Sequence, residues 1–230
     1  MTVITAAAVS SSVEEVIRCR RSVRHFQPQC IDQALIEKLF KLAQWSPSAG
    51  NMQPWRSYVV SGERCQEVRS KLLQAVRDTQ QYPPEKLRQQ RLSSIYAERR
   101  QQLLARLYAA FGFKGSNKYC RHQLAEENFQ LYGAPHCVFI FVEPGFDDLV
   151  GLDIGIYAQS LMLAMEANGI GCVVQAELCA YSKLIANQLG TDDSQRLMLA
   201  ISFGYEQQGS AINESSRKRA PLFETTTFYS

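Results

Sequence analysis

Behind Asp32, the apolar side chains Leu35, Ile36, Leu39, Phe40, Leu42 and Ala43 recur at helical spacing. Asp32 can cap that helix, which ends before Ser46-Pro47 because a residue preceding proline avoids the helical region. The same reasoning predicts helices over residues 13–19, 63–77, 119–132 and 182–189. Residues 137–142, Cys-Val-Phe-Ile-Phe-Val, are apolar without interruption, the pattern of a central strand covered on both faces. Residues 57–60, 172–175 and 197–203 read as further strands. Residues 149–168 form a longer run, apolar nearly all round and rich in small residues and methionine. Such a helix should be buried, which a chain of 230 residues achieves more easily at a subunit interface than alone.

One segment is polar. After the break at Tyr82-Pro83-Pro84, residues 85–108 carry many charges and glutamines, with Leu87, Ile95, Leu103, Leu104 and Leu107 at helical intervals. That predicts a helical excursion over the surface, within residues 80–118. Helices and strands are mixed without a βαβ rhythm. The expected class is therefore α+β, with helices packed around one sheet in a single domain spanning 1–230.

Composition acts mainly by exclusion. The 25 basic and 22 acidic residues leave a formal net charge of +3, too mild to imply nucleic acid. A few clustered arginines could still serve one phosphate-bearing cofactor. The seven cysteines (19, 30, 65, 120, 137, 172 and 179) are odd in number and widely spaced, without a CxxC pair. They fit free, mostly buried thiols in a reducing compartment better than a disulfide framework or a zinc site. No early basic residue precedes an apolar stretch, and no run approaches the roughly 18 residues of a membrane span. A cytoplasmic protein without a membrane or metal partner is expected. Among His25, His122 and His136, none lies near an evident nucleophile, and Gly-x-Ser-x-Gly elbows, Walker loops and metal-ligand spacings are absent from the sequence. If this is an enzyme, a bound cofactor carries the chemistry.

Four segments could serve such a cofactor. Arg20-Arg21-Ser22-Val23-Arg24 gathers three guanidinium groups around a hydroxyl, able to grip a phosphate and still offer an arginine to a carbonyl or ring nitrogen. Alone, it equally fits a solvated basic turn. In residues 46–55, Ser-Pro-Ser-Ala-Gly-Asn-Met-Gln-Pro-Trp, two prolines stiffen a loop that presents Ser48, Asn51 and Gln53, suited to the edge of a planar heterocycle. A plain helix-to-strand connection with Trp55 in the core would look similar. Gly169-Ile170-Gly171 lacks the third glycine of a dinucleotide fingerprint and ends a helix instead of starting one, so it reads as a strand edge offering backbone N–H groups, or a simple turn. Arg217-Lys218-Arg219-Ala220-Pro221 is either a late basic site or a frayed tail.

In this order and spacing the segments resemble the FMN-dependent nitroreductase family. The likeness rests on Arg20 to Phe26, on Ser46 to Trp55, on the Gly-Ile-Gly turn leading to Gln175, and on Arg217-x-Arg219-x-Pro221. Tyr96, Arg99-Arg100, Leu107-Tyr108, Asn128-Phe129 and Gly133-Ala134-Pro135 resemble its nitrobenzoate-reductase-like branch.

The resemblance implies a central, mostly antiparallel sheet and an intertwined homodimer with two FMN sites at its interface. It places Arg20, Arg21 and Ser22 along the FMN phosphate and ribityl chain, Arg24 at the pyrimidine edge, and Arg217 and Arg219 on the phosphate. Asn128 falls near the pyrimidine. Val174, Gln175 and Ala176 fall by N5, and Pro47, Ser48, Asn51 and Gln53 come from the partner. It assigns no catalytic side chain. It implies that NADH or NADPH reduces the flavin and that a nitroaromatic, quinone or similar small acceptor reoxidises it, in a ping-pong cycle on one open face. Many relatives carry Pro at the Val174 position, and Val174, Ala176 and Glu177 here bear on acceptor preference. Flavin-dependent dehalogenation or another redox reaction on the same fold, a non-catalytic flavin-binding protein, and an interaction domain without cofactor stay open on these residues.

Overall fold

The computed structural model describes residues 12–79, 93–215 and 217–229. The proline break at 82–84 and Leu87 lie outside them. Four strands, β1 (Arg56–Ser61), β2 (His136–Val142), β3 (Gly171–Gln175) and β4 (Arg196–Gly204), form one sheet in the order β1-β2-β4-β3. Every pairing is antiparallel, with a register shift between Ile140 and Phe141. Among the described residues eight helices surround it: α1 (Val13–Cys19), α2 (Gln33–Ala43), α3 (Gly62–Thr79), α4 (Ser94–Ala110), α5 (Asn117–Phe129), α6 (Val150–Ala167), α7 (Ser182–Leu189) and α8 (Ala211–Glu214). The class is α+β.

The uninterrupted apolar run of β2 has the cause expected of it. Side chains alternate across a strand, and both faces are covered. Val138, Ile140 and Val142 pack with Leu39 of α2 and Leu161 and Met165 of α6. Cys137, Phe139 and Phe141 pack with Leu72 of α3, Phe129 of α5 and Ile185 of α7. Every residue of β2 is buried.

Local chemistry sets the helix ends. Asp32 caps α2 by accepting from the Ala34 N–H at 2.9 Å, and Ser12 caps α1 through the Glu15 N–H. α5 stops at Phe129, earlier than its apolar spacing suggests, because Leu131 (φ 55°) and Tyr132 (φ 52°) take left-handed conformations. α6 also departs from expectation. Its Ile154, Tyr157, Leu161 and Met165 face is buried, but Leu152 is 68% and Ile156 43% exposed on the opposite face. One protomer has only one layer to set against this helix. All seven cysteines are free; Cys19 and Cys30 are exposed.

His136, the first residue of β2, is a buried polar joint. Its Nε2 accepts from the Ile31 N–H at 2.8 Å, so Nδ1 carries the proton that faces Ser61 Oγ at 2.7 Å. Burial holds its pKa below the usual histidine value. The unfolded chain therefore binds a proton near pH 6.5 while the folded chain resists it, and stability falls as pH drops through that value. We expect the melting temperature to decline between pH 7 and 5.5 more steeply than in His136→Asn. Parallel slopes would refute this.

Candidate functional site

The basic segment after α1 is extended, not a compact turn. Ser22 bridges to Cys172 of β3 in parallel, the Val23 N–H donates to the Cys172 carbonyl at 2.9 Å, and Phe26 bridges to Glu206. Gly171 permits this close approach, since a Cβ there would meet Val23 Cγ2 at 2.7 Å. Extended geometry alternates side chains. Val23 enters the core (1% exposed), whereas Ser22 and Arg24 face a cleft of about 310 Å³. Arg20, Arg21, Arg217 and Arg219 line the same cleft, joined by Lys218 and by Arg99 and Arg106 of α4; no carboxylate among the described residues lines it.

Arg21, Arg99 and Arg217 are each tied to groups outside the cleft lining. Arg21 pairs with Glu206 at 2.6 Å and Arg99 with Glu224 at 2.5 Å. The Arg217 guanidinium donates to the carbonyls of Arg18 (2.8 Å), Cys19 (3.2 Å) and Arg20, where α1 ends. It thus satisfies terminal carbonyls that the helix leaves open, and ties the late basic segment to the early one. Half-buried Glu166 lies near this charge. Burial raises its carboxyl pKa, opposed by Arg21 and Arg20. Burial pushes the Cys172 thiol up to about 12, so it stays protonated and inert.

Arg24 occupies the inner end. Its backbone N–H donates to Asn213 Oδ1 at 2.8 Å and its Nη1 to the Ser22 carbonyl at 3.3 Å. Its Cζ stands 5.8 Å above the ring of Tyr132. Its Nε is buried without a hydrogen-bond partner, a state that costs free energy until an acceptor arrives.

Tyr132 also lines an adjoining cavity of about 210 Å³ with Asn128, Val174, Gln175, Ala176 and Glu177. The Asn128 and Gln175 side chains are largely committed. Gln175 Nε2 donates to Asn128 O (2.5 Å) and Oδ1 (3.0 Å), Gln175 Oε1 accepts from Ser202, and Asn128 Nδ2 donates to Glu177 at 3.3 Å. Arg100 and Leu104 of α4 form another wall, so α4 borders both cavities.

The loop carrying Pro47, Ser48, Asn51 and Gln53 is elsewhere on the protomer and lines neither cavity. It is nonetheless well formed. A 3-10 turn spans Ala49–Asn51, with Gly50, Asn51 and Gln53 at positive φ. Ser48 Oγ accepts from the Gln53 N–H at 2.9 Å, and Gln53 Nε2 reaches the Asn51 carbonyl at 3.0 Å. Trp55 is only partly buried and stacks on Tyr157 at 4.6 Å. Asp153 of α6, only 8% exposed, accepts from the Ala49 N–H at 3.1 and 3.2 Å. A hydrogen bond to a charged group contributes roughly 1.5–3 kcal/mol, and 1 kcal/mol shifts the melting temperature by about 2–4 °C in a chain of this size. Asp153→Ala should therefore melt several degrees lower, and Asp153→Asn, which keeps one acceptor, should lose less. Equal melting temperatures for wild type and Asp153→Ala would remove the anchoring role.

Tyr132, Asn213 and Arg106 carry no motif that marks them. Asn213 binds Arg24 across 189 positions of sequence, and only the neighbouring Gly133 hints at the turn that aims Tyr132.

Comparison with known proteins decides the affiliation. The family model described as Nitroreductase family matches residues 17–205. The chain belongs to the nitroreductase family. Nitroreductase NfnB of Mycolicibacterium smegmatis is 35% identical over 223 residues, covering 96% of this chain and 94% of that one. The crystal structure of that FMN-dependent nitroreductase in complex with NADPH superposes with a TM-score of 0.86 at 34% identity, covering 94% and 97% of the two chains. The 4-nitrobenzoate reductase of Pseudomonas putida is 28% identical over 207 residues, 90% and 91% of the chains. An iodotyrosine dehalogenase 1 homolog of Caenorhabditis elegans matches over only 61 residues, 26% of this nitroreductase-family chain and 19% of that protein. Among the described residues no helix is long and apolar enough to cross a membrane.

Proposed function

We propose that this chain is an FMN-dependent oxidoreductase that uses NADH or NADPH to reduce nitroaromatics, quinones or similar small acceptors, acting as a cytoplasmic homodimer. The observation that carries the reading is the buried, unpartnered Nε of Arg24 where an arginine cleft, lined by no carboxylate among the described residues, adjoins the cavity beside Val174 to Ala176. The residues fit the cofactor. A phosphomonoester suits the cation set, and the inner arginine suits the electron-rich pyrimidine edge of a flavin.

When bound, FMN supplies two-electron redox chemistry between a reduced nicotinamide and an acceptor. The chain's residues do the rest. Arg20, Ser22, Lys218 and Arg219 would hold the phosphate. Arg21 and Arg217 contribute from positions that Glu206 and the α1 carbonyls fix. Arg24 keeps a positive charge at the pyrimidine edge. Asn128 and Gln175, hydrogen-bonded to each other, would hold the backbone of Val174 to Ala176 in place against the flavin.

Pro47, Ser48, Asn51 and Gln53 complete the partner's site. Support for that arrangement comes from the exposed apolar surface next to the loop: Trp45 is 89%, Met52 57% and Leu152 68% exposed. The test is the visible absorption spectrum of the purified protein, taken anaerobically before and after NADH or NADPH, then after a nitroaromatic. Bleaching by nicotinamide and recovery on acceptor are expected. A colourless protein that refuses added FMN would overturn the reading, as would release of FAD on heating. A loaded flavin that neither nicotinamide bleaches would leave a binding protein only.

A further inference from the structure

Arg21 and Arg24, three positions apart, are anchored in opposite ways. Arg21 meets the Glu206 carboxylate at 2.6 Å, so its charge is largely offset. Arg24 has no carboxylate partner among the described residues. Its guanidinium rests instead on an aromatic face, with Cζ 5.8 Å from the centroid of the Tyr132 ring. A ring face attracts a cation through its quadrupole and brings no counter-charge. The phenol stays neutral at ordinary pH: burial raises its pKa, the charge of Arg24 and a hydrogen bond from it oppose that rise, and the Glu177 and Glu127 carboxylates add to it.

The ring is aimed with some effort. α5 ends at Phe129, and Leu131 (φ 55°), Tyr132 (φ 52°) and Gly133 (φ 71°) then adopt left-handed conformations in succession. Residues with side chains rarely do so, and such strain persists where the surroundings over-determine it. Here Tyr132 is 8% exposed, and Phe111 stacks against it at 6.5 Å and 17°, itself backed by Phe113 at 5.0 Å. A helical continuation of α5 would point the ring elsewhere.

We infer that Tyr132 is a positioning residue: it holds the Arg24 guanidinium at the junction of the two cavities without cancelling its charge, and through Arg24 it sets the redox potential of the flavin, an inference that rests on the function proposed above. Arg24 therefore keeps its charge, and its Nε is left without a hydrogen-bond partner.

The test is the midpoint potential of FMN in the loaded enzyme, measured by spectroscopic titration. Tyr132→Leu removes the aromatic face; Tyr132→Asn does so with a residue that tolerates the left-handed backbone, and either serves if the other fails to fold. Each is expected to lower the potential by at least half of what Arg24→Ala produces. Tyr132→Phe, which keeps the ring but removes the hydroxyl that Arg24 hydrogen-bonds, is expected to lower it by clearly less than Tyr132→Leu. The double change Arg24→Ala with Tyr132→Leu should be no lower than Arg24→Ala alone. The inference fails if Tyr132→Leu or Tyr132→Asn holds the wild-type potential while Arg24→Ala shifts it, if Tyr132→Phe shifts it as much as Tyr132→Leu, or if the two effects simply add. Failure of the wild-type protein to take up FMN would instead overturn the proposed function.

Discussion

Arg24→Ala should lower the midpoint potential of the bound flavin and slow its reduction by nicotinamide, while most of the cofactor stays bound. The guanidinium enters the site as a charge without a carboxylate partner among the described residues, held by the Ser22 carbonyl and the Tyr132 face, while Asn213 fixes the Arg24 backbone N–H. A charge-assisted hydrogen bond contributes roughly 1.5–3 kcal/mol, and the reduced, anionic flavin should feel more of it than the oxidised form. If the whole difference falls on the reduced state, about 1.4 kcal/mol per 30 mV for a two-electron couple gives a drop of roughly 30–65 mV. An equal loss in the transition state slows reduction by roughly ten- to a hundredfold.

Arg219→Ala is the contrast. Arg219 is exposed at the outer part of the cleft, and its own contact is with the Lys218 carbonyl at 3.0 Å. Its loss should weaken FMN binding and leave the potential of the bound flavin nearly unchanged. The two roles are wrongly assigned if Arg24→Ala costs only affinity, or if Arg219→Ala moves the potential as far.

Much of this frame was legible because periodicity reports burial directly. The unbroken run of β2 announced a strand covered on both faces, and the Leu35 to Ala43 spacing announced α2. The basic segment was harder. Arg-Arg-Ser-Val-Arg suggests a solvated turn by composition, yet Val23 alternates with polar neighbours as a strand does, and the small Gly171 opposite lets it dock on β3. What stayed hidden depends on distant contacts. Asn213 is a lone amide in a polar tail until it meets Arg24, and Arg217 shows its link to the end of α1 only in three dimensions. Apolar spacing alone makes Tyr132 the last residue of a helix, since its left-handed backbone is imposed by packing and not by its own propensity. The motif resemblance brought together residues of both cavities, but it could not show that Asn128 and Gln175 spend their side chains on each other.

Charge placed on the outer face of α6 should cost both the proposed dimer and its flavin. Leu152 and Ile156 are 68% and 43% exposed, in line with Leu149 at 69%, on a helix whose opposite face fills the core. Such a stripe on an otherwise buried helix is a surface that a second copy would cover. The adjacent residue Asp153 also anchors the Ser46 to Trp55 loop through Ala49. That contact ties the loop to the helix that carries the stripe, so a partner seated on the stripe would receive Pro47, Ser48, Asn51 and Gln53 at a fixed place. Leu152→Glu with Ile156→Glu would bury two unpaired carboxylates in that interface. Each costs several kcal/mol, so together they should raise the dimer dissociation constant by at least about a thousandfold. The expected result at low micromolar protein is a folded monomer, helical by circular dichroism, that elutes without yellow colour. Since neither substituted residue lines the arginine cleft, flavin loss would trace to the missing partner loop. A variant that stays dimeric would remove α6 from the interface, and a monomer that keeps its FMN would show that one chain suffices to hold the cofactor.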